Sequence, residues 1–272
     1  MREVDVRAGF VNAWVLAAAM LAVLAGGVAL AVQPWFPVVG SLHGDGVQLM
    51  LDYTLTVTGA LFVAGHLVLA WLIARAARPR PDAGTPAPRR ERLIGLVPAV
   101  LMAFVAEGGV LALGLPVWAR YYGPPPADAL RVEVVARQFF WAMRYPGPDG
   151  RFGATAPRLI DPDNPIGLDR SDPAAADDLL LLNELYLPKD RAVRVLLRST
   201  DVIHSFNVPE LRVKQNAVPG MGIEVWFTPT RTGRYELACN QICGLGHYRM
   251  RGFVEVKEGP DFERWLAEQR TN

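Results

Sequence analysis

The apolar residues of this chain are concentrated in three long runs near its N-terminus. Residues 9–32 carry no charge, His66 is the only charged or imidazole side chain in residues 53–74, and Glu107 is the only one in residues 93–119. A helix needs about 20 apolar residues to cross a bilayer. The pattern therefore predicts membrane-spanning helices near residues 9–33, 50–75 and 93–119, within a membrane region that covers residues 1–122.

Beyond residue 122 the pattern changes to short runs separated by turn residues. The glycine and three prolines of residues 123–126 end the third helix, because proline lacks the amide that helix requires. The following runs are rich in β-branched and aromatic residues, as in LRVEVVARQFFW, AVRVLLRS, IEVWFTP and GFVEVKE. We expect an all-β sandwich or barrel over residues 127–258 and a short amphipathic helix over residues 259–272.

The loops between the apolar runs indicate the orientation. The segment from Arg75 to Arg92 is rich in arginine, whereas residues 33–51 contain neither arginine nor lysine. The positive-inside bias places the arginine-rich loop in the cytoplasm and the β domain on the periplasmic side of a bacterial inner membrane. The first apolar run is longer than the roughly 7–15 residues of a signal-peptide core, so we expect a retained helix rather than a cleaved signal.

Composition agrees with a membrane protein that carries one polar domain. Of the 272 residues, 51% are hydrophobic, while 28 lysines and arginines nearly balance 27 acids. The chain shows no nucleotide-binding glycine pattern, and we expect no nucleic-acid partner.

Candidate metal chemistry is confined to one segment and one upstream histidine. Both cysteines of the chain, Cys239 and Cys243, are followed by His247 and Met250. Thiolate, imidazole and thioether together suit copper, and a weak methionine contact is typical of copper electron-transfer sites. Two thiolates in one loop could bridge two copper ions, each needing a terminal imidazole. His204 is the only other histidine of the predicted β domain.

A disulfide and a zinc site are two other uses to which the cysteines could be put. A disulfide would suit an oxidising compartment, but it leaves the neighbouring histidines and methionine unexplained. Zinc accepts two cysteines and two histidines, but the ligand spacing differs from the usual zinc patterns.

The run CNQICGLGHYRM, with DVIHSF upstream, resembles the dinuclear copper (CuA) site of cytochrome c oxidase subunit II. The resemblance covers about two hundred residues, including two helices, ARQFFW, RVKQNAVPG and GFVEV. It implies a cupredoxin-like domain in which Cys239 and Cys243 bridge two copper ions. It further implies that one metal is completed by His204 and Met250, and the other by His247 and the backbone carbonyl of Gln241.

The resemblance also implies a function. The chain would be the electron-entry subunit of an oxidase that takes electrons from reduced cytochrome c and passes them to haem in subunit I. Oxygen is reduced to water there, coupled to proton translocation. The alternative is the CuA subunit of a nitric oxide reductase of the same superfamily. Quinol oxidase subunits typically lack the copper ligands, and copper chaperones with a Cys-x-x-x-Cys pair usually place their histidine far downstream.

Further roles are implied for residues outside the ligand set. Phe139, Phe140 and Trp141 match an aromatic patch for electron entry, although relatives usually have tryptophan at the first position. Asp201, with acids of an insertion at residues 160–178, would dock a basic cytochrome, or the insertion is simply a solvated loop.

Two carboxyl groups in the predicted membrane region, and a possible magnesium site, also have counterparts in relatives. Glu91 matches a glutamate that marks a proton-pathway entrance in subunit I of relatives, or it is a helix-start acid. Glu107 should face subunit I, because a carboxylate in lipid is costly. Relatives bind magnesium near positions where this chain has Gln241 and Asn216, and the loss of two carboxylates puts that site in doubt.

Overall fold

The computed structural model describes residues 2–76 and 88–271, and the side chains of residues 13–75, 93 and 95–270. Apolar helices precede a two-sheet β domain, which confirms the predicted fold class. The helices are α1 (Arg2–Ala31), α2 (Leu42–Ala76), α3 (Pro88–Leu101), α4 (Gly108–Tyr121) and α5 (Gly259–Thr271). The strands are β1 (Leu130–Arg137), β2 (Phe140–Tyr145), β3 (Leu179–Leu182), β4 (Glu184–Pro188), β5 (Val193–Ser199), β6 (His204–Val208), β7 (Val213–Ala217), β8 (Ile223–Phe227), β9 (Gly233–Cys239) and β10 (Arg251–Lys257).

The chain divides into two compact units. One contains the residues up to Phe36 and Leu49–Leu115, and the other contains Pro37–Gln48 and the residues from Pro116 onward. The second unit therefore includes the first turns of α2 and the last turns of α4 together with the β domain.

Three helical segments of the described residues are long and apolar enough to cross a membrane: Ala13–Ala31, Leu42–Arg75 and Gly95–Tyr121. The third consists of the C-terminal half of α3, a π-helical stretch at Met102–Glu107, and α4. Pro98 precedes this stretch inside α3 and has no amide to continue the regular hydrogen-bond ladder. The hydroxyl of Tyr53 in α2 donates to the carbonyl of Val105, so one π-helical carbonyl gains a side-chain partner.

Of the two membrane carboxyls, Glu107 lies on this third segment and Glu91 precedes it along the chain. Glu107 ends the π-helical stretch and is exposed in the isolated chain. Glu91 belongs to α3, but its side chain lies outside the described residues.

The β domain is a cupredoxin-like sandwich of two five-stranded sheets. Their strand orders are β3-β2-β1-β5-β8 and β4-β10-β9-β6-β7. β1 pairs with β5, and β10 with β4, in parallel, while the other pairs of these strands are antiparallel. Alternate residues of each strand face inward, and the largest fully buried rings are Trp141, Tyr145, Phe206, Phe227 and Phe262. Burial of this apolar surface is the main favourable term for the sandwich.

The insertion at residues 160–178 packs against the outer face of the first sheet. Ile166 is 4% exposed and forms a small apolar cluster with Val135 of β1 and Ala142 of β2. Its acids are used in local turns: hydrogen bonds from Ser171 hold the pKa of Asp169 below its usual range. The segment is therefore a folded cover over the sheet and not only a solvated loop.

A buried ion network closes this cover. Glu133 of β1 and Arg144 of β2 are opposite each other in register and are 1% and 2% exposed. The Arg144 guanidinium donates to Glu133 at 2.7 Å, to Asp178 at 3.1 Å and to the Gly153 carbonyl at 2.8 Å. Arg198 lies 3.3 Å from the other oxygen of Glu133. Two carboxylates thus face two guanidinium groups, and Arg144 connects Asp178 at the end of the insertion, and Gly153 before it, to the sheet.

We expect Arg144→Met to lower the free energy of unfolding of the β domain by about 3–5 kcal/mol, because it leaves the buried Asp178 carboxylate without its ion-pair partner and Glu133 with Arg198 alone. Urea unfolding of the purified chain in detergent, followed by tryptophan fluorescence, measures the change. Arg194→Met is the matched control, since Arg194 pairs with Glu224 on exposed strand positions. The control should cost at most about 1 kcal/mol. Equal losses in the two variants would contradict a special role for the buried network.

Candidate metal centre

The predicted ligands lie at the ends of three neighbouring strands. His204 begins β6, Cys239 ends β9, and Met250 immediately precedes β10. β9 pairs with both β6 and β10, so these three ends meet at one edge of the sheet. The loop between Cys239 and Met250 contains a single 3-10 turn, His247–Arg249, and returns the chain to the same edge.

The five side-chain donors converge on one pocket. The sulfurs of Cys239 and Cys243 are 3.8 Å apart. Nδ1 of His204 lies 3.9 Å from the Cys239 sulfur, and Nδ1 of His247 lies 3.6 Å from the Cys243 sulfur. The Met250 sulfur is 3.7 Å from that of Cys243. Sequence reasoning identified these residues, and the structure brings all of them together.

The sixth predicted ligand is a backbone atom. The Gln241 carbonyl oxygen is 3.2 Å from the Cys239 sulfur, whereas the residue is exposed. Asn216, the other amide considered for the magnesium site, is also exposed and is paired in register with Ser205.

These donors fit a soft metal. The cysteine sulfurs are too far apart for a disulfide, whose bond is about 2.05 Å long, and both cysteines are free. The candidate ligand atoms of His204, Cys239 and Cys243 all lie within 4.8 Å of one another. Thiolates, thioether and imidazole form the donor set expected for copper.

The pocket has an apolar floor that limits access of water. Cys239, Cys243 and Met250 are 8%, 4% and 2% exposed, and His204 is fully buried. The Trp141 ring packs edge-on beneath His204 with 6.2 Å between centroids.

The two thiols differ in how readily they ionise. Burial opposes ionisation of Cys239, but hydrogen bonding with His204 and neighbouring groups outweighs it and lowers the pKa of this thiol. Burial and the adjacent Cys239 sulfur raise the pKa of Cys243. One thiolate therefore forms easily, and the second requires a compensating positive charge.

Asp201 fixes the orientation of His204. One carboxylate oxygen of Asp201 is 2.8 Å from Nε2 of His204. The other accepts a hydrogen bond from the backbone N–H of Gln138 at 2.7 Å. These hydrogen bonds outweigh burial and lower the pKa of the Asp201 carboxyl. With Nε2 bound to Asp201, Nδ1 of His204 is left to face the sulfurs. The Asp201 carboxylate, predicted as a docking charge, therefore binds the ring of the candidate ligand His204.

The three predicted electron-entry rings point to different places. Phe139 lies against the ligand loop, where a Cβ added to Gly246 would be 2.4 Å from the ring. Phe140 packs against the cluster formed by Ile166 and the first sheet, and Trp141 is fully buried in the core. Only Phe139 combines partial exposure with contact to the ligand loop.

Other features of the site were missed by sequence reasoning. The side-chain amide of Gln138 donates to the Cys243 carbonyl at 2.6 Å and supports the ligand loop. Ile242, Leu245 and Tyr248 project outward and are 83%, 97% and 85% exposed. The sequence does indicate this exposed apolar surface, because the three residues lie between ligands in a short loop. No sequence signal marked Gln138.

Comparison with known proteins agrees with this geometry. The family model described as cytochrome C oxidase subunit II, periplasmic domain, matches residues 130–257. The alternative cytochrome c oxidase subunit 2 of Bradyrhizobium diazoefficiens is 37% identical over 240 residues, which are 88% of this chain and 86% of that protein. The cytochrome c oxidase subunit 2 of Cereibacter sphaeroides is 29% identical over 247 residues, covering 86% and 78%.

Among solved structures, the periplasmic domain of subunit II of cytochrome oxidase from Bradyrhizobium japonicum aligns with 30% identity and a TM-score of 0.40. The alignment covers 54% of this chain and 96% of that one. The identity and coverage shared with the Bradyrhizobium diazoefficiens relative confirm the resemblance, and the chain belongs to the cytochrome c oxidase subunit II family.

Proposed function

We propose that the pocket binds two copper ions and forms the electron-entry centre of a haem-copper oxidase. It would accept single electrons from reduced cytochrome c and pass them to haem in subunit I, where oxygen is reduced to water with coupled proton translocation. The observation that carries the proposal is the convergence of four further ligand atoms around two free sulfurs that are 3.8 Å apart.

Two of the four remaining ligand atoms lie beside each sulfur. His204 lies beside the Cys239 sulfur, and Met250 lies beside the Cys243 sulfur. In the other terminal pair, the Gln241 carbonyl lies beside Cys239, and His247 lies beside Cys243. Each proposed pair, His204 with Met250 and Gln241 with His247, would therefore take one ligand from beside each sulfur.

For electron transfer, the protein would hold the ligand side chains in fixed positions and keep most of them away from water. A thiolate-bridged copper pair, when bound, supplies a centre that can share one electron between two ions. The strands hold His204, Cys239 and Met250 by their backbones, so the ligands need little rearrangement when the charge of the site changes. Asp201 keeps the His204 ring in one orientation, as carboxylates behind metal-bound histidines commonly do.

Electrons would enter at the exposed edge of the ligand loop. Phe139 touches the loop at Gly244 and Gly246 and is partly exposed, so a donor resting on this ring would approach the sulfurs closely. The neighbouring Leu245 and Tyr248 extend this apolar surface. The positive-inside bias places this surface on the periplasmic side, where a separate cytochrome c is the proposed donor.

Cys243→Ser should abolish the dinuclear centre, because serine cannot supply the second bridging thiolate. The measurement is copper content of the purified oxidase together with its electron paramagnetic resonance spectrum. The parent should hold two coppers in this subunit and show a spectrum delocalised over two nuclei. Gln241→Ala is the control and should keep both, since only its backbone is used. One copper in the parent, with a single-nucleus hyperfine pattern, would refute the dinuclear assignment.

Asp201→Ala should weaken copper binding by about 10–100-fold, because it removes the group that orients His204. Competition with a copper chelator measures the affinity, and the optical spectrum reports the ligand geometry. Asp201→Asn retains an acceptor for Nε2 of His204 and should restore most of the affinity. If Asp201→Ala binds copper normally but reacts slowly with cytochrome c, Asp201 instead serves as the docking charge.

Phe139→Ala should slow electron transfer from cytochrome c while leaving the copper spectrum unchanged. Stopped-flow mixing of the oxidised complex with reduced cytochrome c measures the rate. Phe140→Ala is the matched control, because it removes an identical ring that packs under the insertion. A Phe139→Ala variant as fast as its parent would place electron entry elsewhere on the domain.

A further inference from the structure

A buried histidine with unused ring nitrogens lies in the first turn of α2, far in sequence from the copper ligands. His43 is 2% exposed and is held edge-on by Trp226 and Tyr121, with centroid distances of 4.2 and 5.5 Å. Neither Nδ1 nor Nε2 has a hydrogen-bond partner among the described residues. Buried polar atoms in proteins are nearly always paired, so this imidazole indicates a ligand.

The ring lines a cavity of about 80 Å³ within the unit that contains the β domain. The lining consists of the first turn of α2 and the last turns of α4, namely His43, Gly46, Pro116, Val117, Arg120 and Tyr121. A water molecule takes about 30 Å³ of liquid volume. The cavity therefore has room for a group larger than one water molecule, of the size of a phosphate.

The charge of the lining favours an anion. Arg120 carries a permanent positive charge, and the N-terminal turn of α2 adds the positive end of a helix dipole. The one acid of that turn, Asp45, is exposed and does not line the cavity. A metal cation would meet the guanidinium, whereas an anion could be contacted by Arg120 and by a ring N–H of His43.

The position along the helices identifies the source of the anion. His43 lies at the start of the candidate span Leu42–Arg75, and Arg120 lies at the end of the span Gly95–Tyr121. Trp118 and Tyr122 flank Arg120 and are 62% and 71% exposed. Such aromatic residues are enriched at the membrane–water interface. The abundant anion at that depth is the phosphate of a phospholipid headgroup.

We propose that the cavity between His43 and Arg120 binds the phosphate group of a membrane phospholipid. Arg120 donates to the phosphate oxygens in the geometry that suits a guanidinium, and His43 donates from its ring. This site is separate from the copper centre and does not depend on the proposed electron transfer.

Lipid titration of the intact oxidase tests this site. The complex is stripped with detergent, phosphatidylglycerol is added back, and bound lipids are counted by native mass spectrometry. Arg120→Gln should weaken binding of one lipid by about tenfold or more, because it removes a charge-assisted contact. Arg120→Lys keeps the charge and should retain most of the affinity. His43→Phe keeps a ring in this position but removes the ring N–H, and it should also weaken binding of this lipid.

Arg75→Gln is the matched control, because it removes one arginine at the opposite end of the same α2 span. It should bind as many lipids at this affinity as the parent. Copper content measured on the same samples shows that the variants are assembled. Equal lipid binding by the parent, Arg120→Gln and His43→Phe would overturn the proposal. Inorganic phosphate that binds as tightly as the lipid and displaces it would overturn the phospholipid source.

Discussion

The backbone pairing of β6, β9 and β10 determines the position of the metal ligands. The ladder continues through the ligand residues themselves: the Cys239 amide donates to the Met250 carbonyl at 3.1 Å, and the next amide, of Asn240, donates to Ser205 at 3.1 Å. Ligands from distant parts of the chain are therefore fixed by main-chain hydrogen bonds. The loop between them needs only to return Cys243 and His247 to a pocket whose other walls already exist.

Because the strand pairing positions the ligands, those at strand ends are held more firmly than those on the loop. His204, Cys239 and Met250 are buried and belong to strand ends, while His247 and Gln241 lie on the loop and are more exposed. The loop has its own supports, because Gln138 binds the Cys243 carbonyl and Phe139 rests on its glycines. Both supports come from the turn between β1 and β2, in the other sheet. The centre therefore lies where the two sheets contribute to one edge of the sandwich.

Much of this could be predicted from the sequence. A long uncharged run can form few structures other than a membrane-spanning helix, so the sequence predicts the three membrane-compatible helices. A cluster of cysteine, histidine and methionine likewise suits few ligands other than a soft metal. The interpretation of residues 139–141 as one aromatic patch was less complete. Successive residues of a strand face opposite sides of the sheet, so Phe140 and Trp141 of β2 point apart. Phe139 lies in the turn before β2 and points toward the ligand loop instead. The Glu133–Arg144 pair also depends on hairpin register, which no local pattern of charges specifies. The packing of the insertion follows from Ile166 and Leu168, two apolar residues among acids and prolines.

The contact between Phe139 and the ligand loop has an evolutionary consequence. A Cβ at Gly246 would overlap the ring, and Gly244 adopts φ +132°, a conformation that other residues rarely accept. A side chain could enter the loop at position 246 only if residue 139 became smaller or moved away. Positions 139 and 246 should therefore change together among related chains, although more than one hundred residues separate them. Variation in the electron-entry surface would then be limited by the space the ligand loop leaves for it.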